Sequence, residues 1–178
     1  TYRNNWRDFG FQGSMVFTTC KNEITSIADG ADYFYSGNSR FGYLPMVRNE
    51  TEHSLSSFYG YQVMGLFQND AEVAVAPYQT SAEPGFLRFA NNDDTNFGGD
   101  SSIDSDDRTF IGNPNPKFTY GFNLAMTWKN LDLTAFIYGS KGNDIFNHNK
   151  WWTDFWPSLY GQKSKDLLYN SWTEKNTG

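Results

Sequence analysis

The sequence predicts an antiparallel all-β fold, on three observations. Large apolar residues alternate with small or polar ones over ten-residue stretches, first at 9–19 and then at 118–128 and 131–138. Aromatic residues make up 19% of the 178-residue chain while all hydrophobic residues reach only 38%, so the apolar content is concentrated in rings. Glycine, at 16 residues, and abundant Asn, Asp, Ser and Thr suit strands joined by polar loops rather than helices.

The clearest alternation is FTYGFNLAMTWKNLDLTAFIY, positions 118–138. Phe118, Tyr120, Phe122, Leu124, Met126 and Trp128 share one face, and Thr119, Gly121, Asn123, Ala125 and Thr127 the other. After Lys129-Asn130 the pattern restarts, with Leu131, Leu133, Ala135 and Ile137 against Asp132, Thr134, Phe136 and Tyr138. The first stretch repeats it: Phe9, Phe11, Met15 and Phe17 oppose Gly10, Gln12, Ser14 and Thr18, with Val16 as an exception. Each run has the length of a tilted strand crossing a membrane, about 9–11 residues. The segments YRNNWRDF and WKNLDL both place an aromatic and a basic residue at the opening, the signature of tight hairpins with a ring at the rim. On a barrel reading Tyr2, Trp6 and Trp128 mark one membrane interface and Phe118 and Tyr120 the other. Gln12, Ser14, Asn123, Thr127, Asp132, Thr134 and Tyr138 then face the lumen.

Between these strands lies a long excursion. SSFYGYQVMGLFQND, 56–70, is aromatic and strand-like but alternates poorly, and Asp and Asn dominate 91–107. Residues 58–67 and 85–90 read as a hairpin above the barrel, with a membrane-crossing pair as the other reading. GSKGNDIFNHNKWWTDFWPSLYG is a ring-rich loop, and QKSKDLLYNSWTE, 162–174, reads as one short helix of about three turns with Leu167, Leu168 and Trp172 on its apolar side. The resulting organisation is 1–21, a barrel strand with a periplasmic turn at its start; 22–115, a long extracellular loop region; 116–141, two barrel strands and a tight periplasmic turn; and 142–178, an extracellular loop with the short helix. The opening TYRNNWRDFGF and the closing NSWTEKNTG mark the chain as a fragment of a longer protein.

Composition and motifs exclude several function classes. A net charge of −6, with Lys and Arg scattered singly, offers no basic stripe for nucleic acid. No run approaches the length of a transmembrane helix. Cys20 is a lone cysteine and forms no disulfide framework. His53 and His148 lack ligand spacing, GSKG is no phosphate loop, NET at 49–51 matches a glycosylation acceptor only formally, and no nucleophile-elbow or zinc-protease motif occurs. The acidic residues look uniformly solvated, whereas paired catalytic carboxylates need contrasting environments. The chain is not expected to be an enzyme.

Two candidate sites remain. NFGGDSSIDSDD, 96–107, can be laid on the calcium-loop template, with Asn96 at its first position, Asp100 at its fifth, Ile103 at its eighth, Asp104 at its ninth and Asp107 at its twelfth. Gly98 stands where a ligand belongs and Ser101 where the turn glycine belongs; Asp93 or Asp94 would have to supply a missing oxygen. The alternative is a solvated turn held by Asx hydrogen bonds. In WWTDFW, 151–156, Trp151, Trp152 and Trp156 are candidates for stacking on a sugar face, against a role in wedging the loop or in an aromatic girdle.

Alternation alone leaves two classes open: a segment of a transport barrel in an outer membrane, or a soluble β-sandwich carbohydrate-binding module whose greasy face is its core. An adhesin-like surface domain is a third. SSFYGYQVMGLFQN, DDRTFIGNPNPKFTYGFNL and GSKGNDIFN, in that order and with ordinary spacing, resemble stretches in the C-terminal half of the barrel of SusC/RagA-type TonB-dependent transporters. The resemblance runs from about Trp6 to Trp172. It implies a large transmembrane β-barrel in the outer membrane of a Gram-negative cell, with its long loops outside. It implies uptake of oligosaccharides, or of peptides, together with a SusD-like surface lipoprotein and a TonB complex. No cofactor is required, and a structural calcium in the acidic loop is the one ion implied; the family often carries DxNGDGxID there, which this copy has lost in part. The plug, the TonB-contacting segment and the terminal aromatic strand of the family do not occur in these residues.

Overall fold

Ten strands carry the chain in the computed structural model, which describes residues 1–36, 45–92, 101–155 and 161–176. In chain order they are β1 (Tyr2–Trp6), β2 (Phe9–Thr19), β3 (Tyr33–Ser36), β4 (Val47–Glu50), β5 (Ser57–Tyr61), β6 (Val63–Leu66), β7 (Leu87–Phe89), β8 (Arg108–Gly112), β9 (Phe118–Trp128) and β10 (Leu131–Lys141). Helical turns are brief: α1 (Asp70–Val75), α2 (His148–Lys150) running into a π-helical turn at Trp151–Phe155, α3 (Lys165–Asn170), and a 3-10 turn at Ala28–Gly30. The sheets have strand orders β1-β2-β9-β10, β3-β4-β5-β8 and β6-β7. The expected antiparallel all-β architecture is what forms. Contacts divide the chain into two interleaved units, Thr1–Phe58 with Gly112–Ile145, and Tyr59–Ile111 with Phe146–Gly178.

The first unit is built on the sheet β1-β2-β9-β10. Its two hairpins have two-residue loops, Arg7-Asp8 and Lys129-Asn130, because Trp6 pairs with Phe9 and Trp128 with Leu131. The first loop residue in each is left-handed, at φ 43° for Arg7 and 52° for Lys129, and such backbone lets a short loop follow the right-handed twist of its strands. The loops lie side by side: the Lys129 N–H donates to the Asp8 carbonyl at 2.9 Å. β2 then pairs with β9 over its whole length, Phe9 opposite Trp128 and Thr19 opposite Phe118.

Directly opposed residues share a face, and this register fuses the separate alternations into one surface. Phe9–Trp128–Leu131, Phe11–Met126–Leu133, Gly13–Leu124–Ala135, Met15–Phe122–Ile137 and Phe17–Tyr120–Gly139 form successive rows across three strands. Where a row lacks a side chain, a nearby ring fills the gap, Phe11 of the same strand at Gly13 and Tyr120 of the neighbouring strand at Gly139. The Tyr120 ring lies over Gly139, so a Cβ there would overlap ring atoms, with Cε1 at 2.8 Å. Gly139→Val is therefore expected to destabilise the sheet by about 1–3 kcal/mol, the usual range for overpacking. Denaturant unfolding of the full-length protein would read this, and Tyr120→Ala in the same molecule should recover most of the loss.

The β3–β4 hairpin also belongs to the first unit, with Tyr33 opposite Glu50 and Tyr35 opposite Arg48. Asn49 is 1% exposed and hydrogen-bonded through both side-chain polar atoms: its amide donates to the Ser36 hydroxyl at 2.8 Å and its oxygen accepts the Ser56 N–H at 2.8 Å.

The second unit contains β6 and β7, which pair antiparallel with Val63 opposite Phe89 and Leu66 opposite Leu87. At four and three residues these strands fall short of the roughly 9–11 needed to cross a bilayer. The stretch 58–67 is thus split at Gln62 between β5 and β6. α1 follows, with Asn69 as its N-cap: the Asn69 side chain accepts from Glu72 N–H at 3.0 Å, and the Glu72 carboxylate takes the Gln68 N–H at 3.0 Å. This reciprocal arrangement resembles a capping box, and its Asn-x-x-Glu signal is present in the sequence.

Between 162 and 174 the helix covers Lys165–Asn170, six residues rather than three turns. Ser171 is extended, and its hydroxyl returns to the Leu167 carbonyl. Trp172 leaves the helix altogether. Its indole N–H donates to Gln68 Oε1 at 3.0 Å, and its ring packs on Gly85, where a Cβ would sit 2.5 Å from Cε3. Leu168 stays 75% exposed, so the expected apolar side does not assemble. Among the described residues, Phe67 is the one apolar side chain that is fully buried.

Candidate functional site

The sheet β1-β2-β9-β10 presents two unlike faces. On the apolar one, Trp6, Met15, Phe17, Trp128, Leu133 and Ile137 are all more than half exposed. A sheet in water covers such a face with a second layer because apolar surface left wet costs about 25 cal/mol per Å². Here the largest hydrophobic side chains of three long strands have no such cover among the described residues. An 11-residue strand is about 37 Å long, and a tilt of about 45° reduces its rise to roughly 26 Å, close to the apolar band of a membrane barrel. Rings concentrate at both ends of that rise. Trp6 stacks on Phe9 at 5.8 Å at the hairpin end, while Phe17–Phe118 at 5.1 Å and Phe118–Tyr120 at 6.4 Å lie at the other.

The opposite face carries Gln12, Ser14, Asn123, Thr127, Asp132, Thr134 and Tyr138 together, as the register requires. Asn123 donates to Ser14 across the β2–β9 pair at 3.3 Å. Val16 and Phe136 also sit on this face, 59% and 67% exposed.

Beyond the strand ends opposite the tight hairpins, an amide-rich seam ties the loops to the wall. Asn113 N–H donates to Asp144 Oδ2 at 2.8 Å, and Asp144 N–H returns to the Asn113 carbonyl at 2.7 Å. The Asn115 amide donates to the Leu55 carbonyl at 2.8 Å, and Leu55 N–H donates to Asn22 Oδ1 at 2.9 Å. NPNP and GND, two of the stretches behind the family resemblance, therefore meet here. Sequence reading singled out neither Asn115 nor Asp144.

The acidic turn is organised around Asp107, which is 0% exposed. Its Oδ1 accepts Asn92 N–H at 2.6 Å, its Oδ2 accepts Asp104 N–H at 2.8 Å, and its carbonyl accepts the Asn92 amide at 2.7 Å. Asp104 is an Asx-turn residue, accepting Asp106 N–H at 2.8 Å. Both Asp107 oxygens are thus directed at backbone donors. Asn96 and Asp100 lie outside the described residues, and among the described ones no three His, Cys, Asp or Glu converge as metal ligands.

In the ring-rich loop, Trp151 is half-buried and Trp152 is 44% exposed, both on the π-helical turn; Trp156 lies outside the described residues. His148 stands between Phe146, stacked on it at 6.0 Å, and Trp152, tilted against it at 6.3 Å, so three rings form a partly open cluster. The neighbouring Asp154 has its carboxyl held below the ordinary value of 3.8, chiefly by the Ser164 hydroxyl and further by Thr153, Lys150 and Lys163. A depressed folded value stabilises the loop above that ordinary value, and the contribution is lost as pH falls through the lower folded one. Limited proteolysis next to Asp154 is expected to accelerate below pH 3.8 and not between pH 5 and 8. Asp154→Asn should be easily cleaved at every pH.

No family model matches the chain. TonB-dependent receptor P3 of Formosa agariphila is 31% identical over 177 residues, covering 96% of this chain and 16% of that protein. TonB-dependent receptor P26 of the same organism is 26% identical over 148 residues, covering 79% of this chain and 14% of that protein. The chain therefore spans about a sixth of the length of the curated relatives it matches. The structure of the RagAB peptide transporter superposes with a TM-score of 0.68 at 23% identity, over 98% of this chain and 18% of that one, a likeness of fold. No helix among the described residues is long and apolar enough to cross a membrane. The chain is homologous to a segment of TonB-dependent receptors and folds as an unclosed piece of a SusC/RagA-type barrel.

Proposed function

We propose that this chain supplies barrel wall and external loops to an outer-membrane importer driven through TonB, which takes up oligosaccharides or peptides with a SusD-like lipoprotein as its lid. One observation carries the reading: a single apolar face, continuous over β2, β9 and β10 and bounded by rings at both ends, lies uncovered where a soluble sandwich would have its core. The polar face opposite suits a wet or plugged lumen. The Phe146–His148–Trp152 ring cluster offers an open ring face for cargo, with Trp152 as the contact residue and Trp151 as its support. Cargo held between external loops and lid would pass inward once TonB acts on the plug.

The test uses the full-length protein in intact cells, with single cysteines at Leu124 and Ser102 in a Cys20→Ser background. A membrane-impermeant thiol reagent is expected to label Ser102→Cys and to leave Leu124→Cys untouched, with the protein in the outer-membrane fraction. A soluble, folded product outside the outer-membrane fraction would overturn the reading in favour of a β-sandwich binding module.

A further inference from the structure

Residues 161–176 form a small piece held at its two ends. Along α3 no side chain is buried, and Leu168 and Tyr169 are 75% and 68% exposed. A six-residue helix lies well below the roughly 12–15 residues at which a helix holds in water by itself. Its order therefore comes from its ends. At the first of them Ser164 makes no side-chain cap. Instead its N–H donates to the Thr153 carbonyl at 3.4 Å, and the Lys163 ammonium donates to the Trp152 carbonyl at 3.3 Å. Both acceptors belong to the π-helical turn that carries Trp152 of the ring cluster. At the other end Asn176 and Thr173 exchange backbone bonds of 2.8 and 2.9 Å, and the Asn176 amide donates to the Ser171 carbonyl at 3.1 Å. That closed turn presents Trp172 to Gln68 and Gly85. Gly85 is left-handed, at φ 88°, and lacks the Cβ that the indole would strike. Its N–H donates to the Phe67 carbonyl at 2.7 Å, and the Phe67 N–H to the Phe86 carbonyl at 3.0 Å, so the seat of Trp172 continues the β6–β7 hairpin.

We infer that α3 is a coupling strap between the ring-bearing turn at 151–155 and the β6–β7 hairpin. Helix formation is cooperative, so releasing either end melts α3 and removes the geometry that seats the other. The strap is then a two-state element that both ends bias, and its effect runs equally in either direction. A ligand that steadies Trp152 thereby steadies the hairpin. That last step rests on the reading of Trp152 as a cargo contact, whereas the coupling is a property of the two anchors.

Hydrogen exchange of the full-length protein, read by mass spectrometry without cargo, tests the strap. Lys163→Ala is expected to speed exchange in α3 and, at the far end, over 66–87, by about fivefold, the low end of coupling between linked sites. Trp172→Ala should speed α3 and the distant turn at 151–155 to a similar degree. Exchange over Phe118–Trp128 stays as in the unaltered protein and shows that the wall is folded. If Trp172→Ala does not fold, Trp172→Phe, which loses the indole N–H and keeps a ring, is read in its place. Faster exchange confined to the altered end, or no change in α3, overturns the strap. Recovery of the protein outside the outer membrane overturns the importer reading instead and leaves the coupling standing.

Discussion

Ile137→Arg is expected to destabilise the assembled protein by about 2–4 kcal/mol, the cost of an arginine on the lipid face near the middle of a membrane strand. Its neighbour Phe136→Arg is expected to cost far less. The two positions differ little in exposure, 59% for Ile137 and 67% for Phe136, and they occupy the same stretch of β10. What separates them is the face. Ile137 is in register with Phe122 and Met15, whereas Phe136 is in register with Asn123 and Ser14. In water both substitutions would be tolerated alike, since each side chain already meets solvent. Only lipid on one side and a polar lumen on the other makes the outcome asymmetric. Denaturant unfolding in phospholipid vesicles, with the outer-membrane yield of each variant, measures the difference.

Asp107→Ala is the second change with a large expected effect. Removing the carboxylate leaves Asn92 N–H and Asp104 N–H without their acceptor, in a site where Asp107 itself is 0% exposed. Hydrogen bonds to a charged group contribute about 1.5–3 kcal/mol each, so the loss of two suggests roughly 3–6 kcal/mol for this part of the fold. Asp107→Asn keeps one acceptor oxygen and should recover part of the loss. Hydrogen exchange of the 92–107 amides reads both variants directly, with faster exchange expected for Ala than for Asn. Equal exchange in Asp107→Ala and the unaltered protein would contradict this assignment.

Much of the wall was legible because alternation is a property of neighbours in sequence. Once Phe118 to Trp128 and Leu131 to Ile137 are seen to alternate, a two-residue loop at Lys129-Asn130 leaves only one register, and that register is observed. The first strand followed by the same logic, and its pairing with β9 across about a hundred residues kept the faces consistent. Loop chemistry was less readable, because its partners are distant in sequence. Asp107 fits the last position of a calcium template, yet its carboxylate turns to the backbone of Asn92, 15 residues away. Asn115 reaches Leu55 over 60 residues, a contact that no local pattern announces. The helix near 165 is legible in the sequence but shorter than its apolar spacing suggests. Its apolar spacing included Trp172, which Gln68 and Gly85 claim instead. α1 is invisible to strand alternation, although Asn69 and Glu72 carry a legible cap.

The central claim is that the face bearing Met15, Phe122 and Ile137 meets lipid. Spin labels placed one at a time from Leu131 to Lys141 in the reconstituted full-length protein test it most directly, through their collisions with oxygen and with a water-soluble nickel complex. The account predicts accessibility that alternates residue by residue, with oxygen favoured at Leu133, Ala135 and Ile137 and nickel favoured at Thr134, Phe136 and Tyr138. Nickel access equal on both faces along the strand would contradict it.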